Sequence, residues 1–148
     1  MKIRITKEFE FEMAHVLSKH RGLCRNIHGH SYKFALTVAG DVADTGMDDS
    51  SAGMVIDFSD LNKIVNKVVI EKYDHSLVLD RRIADRYLSN SGMNEYKVIL
   101  LEFEPTCELM LVDFVNEIRL LLPQGITLKR AMLRETANSY AEWFEEDN

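Results

Sequence analysis

Cysteine is scarce in this chain, long apolar runs are missing, and positive charge is in deficit. There are two cysteines in 148 residues. Cys24, beside histidines, and Cys107, at an expected helix start, point to reduced thiols rather than a disulfide framework. No apolar stretch approaches the roughly 20 residues that cross a bilayer, and residues 1–6 form a charged, alternating segment unlike a secretory leader. A soluble, cytoplasmic protein that engages no membrane is therefore expected. The 18 Lys/Arg against 24 Asp/Glu leave a formal charge of −6, which argues against non-specific nucleic-acid binding. Internal repeats, linkers and low-complexity segments are also missing. A length of 148 residues with 46% hydrophobic side chains fits one domain, residues 1–148, with a core of its own.

What the chain does have is histidine in one place. Of five histidines, His15, His28 and His30 fall within sixteen residues, with Cys24 between them. On a β-strand residues i and i+2 share a face, so His28 and His30 present two imidazoles side by side if the segment is extended. His15, at the end of an alternating run through Phe9, Phe11 and Met13, supplies a third from a neighbouring strand. Three protein ligands with one open position is the arrangement of a catalytic zinc site. The alternative is a closed structural site in which Cys24 is the fourth ligand. Cys24 lies among Lys19, His20, Arg21 and Arg25, where a thiolate is stabilised, which favours a reactive thiol. The first 40 residues carry seven Lys/Arg against three Glu, so this one basic segment is suited to attract a small anion.

The pattern along the chain is two strands, helices, two strands. Ile3, Ile5, Phe9, Phe11 and Met13 share a parity, predicting a strand over residues 2–14. Tyr32, Phe34, Leu36 and Val38 continue the parity of His28 and His30, so the metal face and a core face belong to one face of a second strand ending near Gly40. Residues 41–53 read as a long polar turn and residues 54–56 as a short extended piece. Asp57 is a plausible N-cap for a helix with Leu61, Ile64, Val65 and Val68 on one stripe. Thr106 caps a second helix with Leu111, Phe114, Val115, Ile118 and Leu122 as its stripe, stopped by Pro123 and Gly125. Between them a short helix is expected over residues 81–89 and an apolar strand over 98–103. Strands over 126–134 and 140–144 flank a turn at Ala137-Asn138, and the acidic end, residues 142–147, reads as a solvated tail.

Six motifs occur in order: Phe11-Glu12-Met13-Ala14-His15; Cys24 separated by three residues from His28-Gly29-His30; Gly53-Met54-Val55-Ile56-Asp57-Phe58; Tyr73-Asp74-His75; Pro105-Thr106-Cys107-Glu108; and Arg134-Glu135-Thr136. Together they resemble the 6-pyruvoyltetrahydropterin synthase family, in particular its bacterial branch, the 6-carboxytetrahydropterin synthases of the queuosine pathway. The resemblance runs from about residue 3 to residue 141. It implies an α+β tunnelling fold (T-fold): a four-stranded antiparallel sheet with two helices inserted between strands two and three. Subunits of this fold assemble into a β-barrel, commonly a homohexamer of two trimers, with active sites at subunit interfaces. The resemblance also implies that His15, His28 and His30 hold Zn2+ and that Cys24, Asp74 and His75 transfer protons. It implies that Glu135 anchors a pterin ring and that Thr106 and Glu108 line the same pocket.

The implied substrate is 7,8-dihydroneopterin triphosphate and the implied products are 6-carboxytetrahydropterin, acetaldehyde and triphosphate. The three-residue gap between Cys24 and His28 favours this carboxy-type chemistry over pyruvoyl-type elimination of triphosphate alone. A non-catalytic, zinc-stabilised binding module is the reading from another class. Taken by itself, His75 reads as a capping or core histidine, and Thr106 and Glu108 as a helix cap with a dipole-matched acid. Departures from the family pattern are the long segments 41–53 and 80–104, Leu109 in place of asparagine, and Cys107 in place of alanine or serine. They bear on substrate preference more than on the metal site.

Overall fold

The computed structural model describes residues 1–44, 50–89, 92 and 95–148. Two long strands, β1 (Lys2–His15) and β2 (His28–Asp41), form an antiparallel pair that sets the register of everything else. Opposite one another across it stand Phe9 and Phe34, Phe11 and Tyr32, Met13 and His30, and finally His15 and His28. The alternation expected from the sequence is what buries one face: Phe11, Met13, Tyr32, Phe34, Leu36 and Val38 are all buried.

The chain then runs through α1 (Phe58–Val65), a π-turn (Asn66–Ile70) and α2 (Glu71–Tyr73). Asp57 caps α1 as expected, its carboxylate accepting from the Ser59 N–H at 2.7 Å. Next come β3 (Ser76–Asp80), a short helix α3 (Ala84–Leu88), β4 (Val98–Leu101) and α4 (Cys107–Leu121). The chain closes with β5 (Thr127–Thr136) and β6 (Ser139–Phe144). The helices cover one face of the sheet. Phe114 of α4 holds this layer together, with ring centroids 6.4 Å from Phe11, 5.7 Å from Phe34 and 5.1 Å from Tyr73.

The sheet has six strands in the order β4-β3-β1-β2-β5-β6. The four antiparallel strands implied by the resemblance are present as β1-β2-β5-β6, but β3 and β4 extend them in parallel on the open edge of β1. β3 carries no alternation because all five of its residues are buried, as expected of a strand covered on both faces. Two further expectations are corrected. Residues 54–56 form no strand; Ile56 packs against the core instead, and Met54 meets Ala43 through one hydrogen bond at 2.8 Å. The acidic end is not a free tail, since Glu142 pairs with Arg130 and Glu145 with Lys129, fastening β6 and the turn after it to β5. Parts of the two long segments, residues 45–49 and residues 90, 91, 93 and 94, lie outside the described residues.

Candidate active site

Where β1 ends and β2 begins, the register places His15 opposite His28 and the strand period adds His30 on the same face. Their three ligand nitrogens lie within 4.8 Å of one another. Among the described residues no other group of His, Cys, Asp or Glu is so placed, and the cluster contains no thiol.

The hydrogen bonds around the cluster fix its protons. His15 Nδ1 lies 2.8 Å from the Pro105 carbonyl and His28 Nδ1 2.9 Å from the Asn26 carbonyl. A carbonyl only accepts, so both Nδ1 atoms carry hydrogen, and in the neutral rings both Nε2 atoms present lone pairs. Those two Nε2 atoms face each other at 3.1 Å. Two bare lone pairs at that distance repel unless a cation lies between them. Carbonyl acceptors behind metal-binding imidazoles are also the usual way such rings are oriented. Burial, the largest cause in each case, pushes His15 and His30 below the usual imidazole range, which keeps both rings neutral. The donor set therefore fits a divalent transition metal.

Glu135 stands beside the imidazoles, its Oε1 3.5 Å from His15 Nε2 and 3.9 Å from His30 Nε2. A β-bulge puts it there. Arg134 pairs with Tyr140 and Thr136 with Ser139, so Glu135 is the extra residue without an opposite partner. Tyr32, fully buried in β2, donates to the same oxygen at 3.0 Å. Burial first, and Glu135 second, push the Tyr32 phenol far above its ordinary value, so it remains a donor.

Next to the cluster opens a cavity of about 700 Å³, lined among others by Glu12, His30, Ser31, His75, Tyr96 and Lys97. That is ample for a small-molecule ligand. His75 stands on its wall, with Asp74 pinned behind it. The Glu12 N–H donates to Asp74 Oδ1 at 2.9 Å, the His75 N–H donates to the Glu12 carbonyl at 2.6 Å, and His75 Nδ1 lies 3.0 Å from Asp74 Oδ2. The Glu12 N–H is the main reason that the Asp74 carboxyl is held below its usual range. His75 is not a core histidine: its side chain is 77% exposed. Among the described residues it is the one non-glycine with a positive φ, at 56°, a conformation that concentrates at functional sites.

The other expected site residues are placed less directly. Cys24 is half-buried in a 3-10 turn, Leu23–Arg25, with its carbonyl accepting from the Leu17 N–H at 3.0 Å. The loop that carries it is tied down where the Ser18 N–H and hydroxyl both donate to the Glu104 carboxylate, the N–H at 3.0 Å. Thr106 caps α4, accepting from the Leu109 N–H at 3.3 Å, and Glu108 faces solvent in the first turn. Of the expected site residues His30 and His75 line the cavity, whereas His15, Cys24, His28, Asp74, Thr106, Glu108 and Glu135 do not within this one chain. Sequence reasoning missed Tyr32, Lys97 and the carbonyls of Asn26 and Pro105. The signal for Tyr32 was a polar tip on an otherwise apolar strand face two residues beyond His30.

A family model described as 6-pyruvoyl tetrahydropterin synthase matches residues 4–146. The 6-carboxy-5,6,7,8-tetrahydropterin synthase of Haemophilus influenzae is 35% identical over 145 residues, covering 96% of this chain and 99% of its own. The Aquifex aeolicus protein of the same name is 30% identical, covering 99% and 100%. Among solved structures, an uncharacterized protein, WS1659, from Wolinella succinogenes superposes with a TM-score of 0.77 at 21% identity, over 98% of this chain and 99% of that one. The 6-pyruvoyl tetrahydropterin synthase of Caenorhabditis elegans superposes with a TM-score of 0.67 at 19% identity, over 97% and 96%. The class defined by this mixed α+β sheet and its imidazole cluster is thus a pterin synthase fold. The chain belongs to the 6-pyruvoyl tetrahydropterin synthase family of enzymes.

Proposed function

We propose that the protein is a zinc-dependent 6-carboxytetrahydropterin synthase. It converts 7,8-dihydroneopterin triphosphate to 6-carboxy-5,6,7,8-tetrahydropterin with release of acetaldehyde and triphosphate, a step of queuosine biosynthesis. The observation that carries this reading is the facing pair of Nε2 atoms of His15 and His28, 3.1 Å apart, at the edge of a cavity that also holds His75. The names of the full-length relatives support the carboxy-type product. The chemistry is accordingly a lyase reaction in the cytoplasm on a small pterin, with no nucleic-acid or membrane partner.

His15, His28 and His30 would hold the metal. Zinc bound there supplies a Lewis acid that stabilises negative charge developing on a substrate oxygen. The remaining work falls to the chain. Loss of triphosphate and rearrangement of the side chain need protons removed from carbons next to oxygen. Asp74 accepts the His75 Nδ1–H, which fixes the tautomer and leaves Nε2 to take and return a proton. Cys24 is the partner acid or base. Glu135 accepts two hydrogen bonds from the aminopyrimidine edge of the pterin, a charge-assisted, bidentate contact that orients the ring. The Tyr32 hydroxyl steadies that carboxylate for the task, and Thr106 and Glu108 border the same subsite from the start of α4.

These last groups meet the cavity when subunits assemble. β4 and β6 are the sheet edges, and pairing such edges into a homohexameric barrel covers their open backbone groups. No helix among the described residues is long and apolar enough to cross a membrane.

The test is to incubate zinc-loaded protein with dihydroneopterin triphosphate and weigh the products. Acetaldehyde with a carboxylated pterin is expected. A pyruvoyl pterin without acetaldehyde would reassign the product, and no turnover would leave a zinc-stabilised binding module. Cys24→Ala abolishes turnover while zinc stoichiometry stays near wild type; loss of the metal in that variant would make the thiol a ligand instead.

A further inference from the structure

Lys97 is the single Lys or Arg among the described residues lining the cavity. Its ammonium group does not point at the imidazoles. It donates to two backbone carbonyls at the end of the first helical segment, Glu71 O at 2.7 Å and Asp74 O at 2.8 Å. Carbonyls in a helix's last turn lack partners within the helix and carry its negative pole, so a cation there satisfies both needs at once. The backbone of Lys97 is held as well, its carbonyl accepting from the Leu77 N–H at 2.9 Å.

The bridged segment is the one that carries the strained histidine. The Asp74 N–H still closes the helix on Ile70 O at 2.9 Å, Asp74 itself is extended, and His75 then turns back with its φ of 56°. An L-residue keeps that conformation only where its surroundings over-determine it. Four ties do so here: the His75 N–H on the Glu12 carbonyl at 2.6 Å, the Glu12 N–H on Asp74 Oδ1 at 2.9 Å, the Ser76 hydroxyl on the Tyr73 carbonyl at 2.6 Å, and the Lys97 bridge across Glu71 and Asp74. The first two come from β1 and the third from the start of β3. The last comes from the residue that leads into β4, within the long segment that sets this chain apart.

We propose that Lys97 is a positioning residue: by bridging the Glu71 and Asp74 carbonyls it holds the left-handed turn that presents His75 to the cavity. This rests on the reading of His75 as a proton-transfer group, and the experiment separates the two. Lys97→Met, Lys97→Arg and His75→Ala are compared with wild type for kcat, KM and bound zinc, and Lys97→Met is also compared for amide hydrogen exchange at His75.

A misplacement of about 1 Å costs up to roughly 100-fold in rate, so Lys97→Met is expected to lose about tenfold or more in kcat. KM and zinc content stay within about twofold, because the bridge touches neither substrate nor metal. Lys97→Arg, which also donates to two carbonyls, recovers most of the rate. Exchange at the His75 amide rises at least about tenfold in Lys97→Met, an effect that does not depend on turnover. Wild-type exchange in Lys97→Met overturns the proposal, as does a loss confined to KM, which would make Lys97 a substrate contact. Wild-type kcat in Lys97→Met beside an inactive His75→Ala overturns it too. If His75→Ala keeps full activity, the role of His75 is wrong, and the exchange measurement alone decides whether Lys97 holds the turn.

Discussion

With zinc held by His15, His28 and His30 as proposed, its removal should destabilise this protein by an amount the site geometry allows us to bound. In the metal-free chain the Nε2 atoms of His15 and His28 face each other at 3.1 Å with both Nδ1 hydrogens committed to carbonyls. Relief requires a ring to turn over or take a proton. Turning over His15, which is fully buried, abandons its hydrogen bond to Pro105 O, a loss of about 1–3 kcal/mol for a buried acceptor left unpaired. Seen from the other side, zinc that binds only the folded state at 100 times its Kd adds about 2.7 kcal/mol. For a chain of this size that is a rise in Tm of about 5–10 °C.

The assay is thermal unfolding at one fixed protein concentration, after exhaustive chelation and again with buffered free zinc. His28→Ala serves as the control that removes one ligand. Wild type should shift by several degrees and His28→Ala by no more than about one. Equal shifts in the two proteins would mean that zinc stabilises through another site. Full zinc occupancy in His28→Ala would remove that residue from the ligand set.

Three further outcomes are expected. Burial pushes the Cys107 thiol up to about 11, and its hydrogen is given to Leu133 O. At pH 8 about one Cys107 in a thousand is thiolate, so brief iodoacetamide treatment of the native protein should mark Cys24 and spare Cys107; equal labelling in a peptide map would refute the buried placement. The almost fully buried Asp80 carboxylate is held below its usual range chiefly by hydrogen bonds from the Arg82 side chain. A depressed carboxyl stabilises the fold above its unfolded pKa and loses that contribution as pH falls through the folded one. Urea stability should therefore drop below about pH 4, and Asp80→Asn should flatten that limb; an unchanged acid limb would show that the pair contributes nothing. Phe114→Ala empties the centre of the layer between α4 and the sheet and should cost about 3–5 kcal/mol, read as a lower urea midpoint at constant slope.

What could be read from the sequence followed periodicity. β1 and the first half of β2 stand out because one face is buried and the other is not, and the same parity that puts Phe34 and Leu36 into the core carries His28 and His30 onto one face. The two caps, Asp57 and Thr106, are legible for a related reason: a side chain satisfies the backbone within two or three residues of itself. β3 was invisible to the same reasoning because all five residues are buried and no period remains. Residues 54–56 failed in the opposite direction, three apolar residues having no ladder to join.

The site divides along the same line. The imidazole cluster depends on a strand period and a hairpin-like register, both local in kind, and it could be anticipated. The position of Glu135 depends on a bulge between β5 and β6, and the aim of His75 on the Glu12 carbonyl that accepts its N–H and on the Glu71 and Asp74 carbonyls that Lys97 reaches across 26 and 23 residues of chain. Backbone carbonyls have no letter in the sequence, so a lysine that recognises two of them looks like any other lysine. The proposed metal ligands are thus written as residue types at fixed spacing, whereas the orientation of the proposed proton-transfer pair is written as backbone geometry. Substitutions that alter the rate without altering metal content should accordingly concentrate at the ties between β1, the Asp74-His75 turn and the entry to β4.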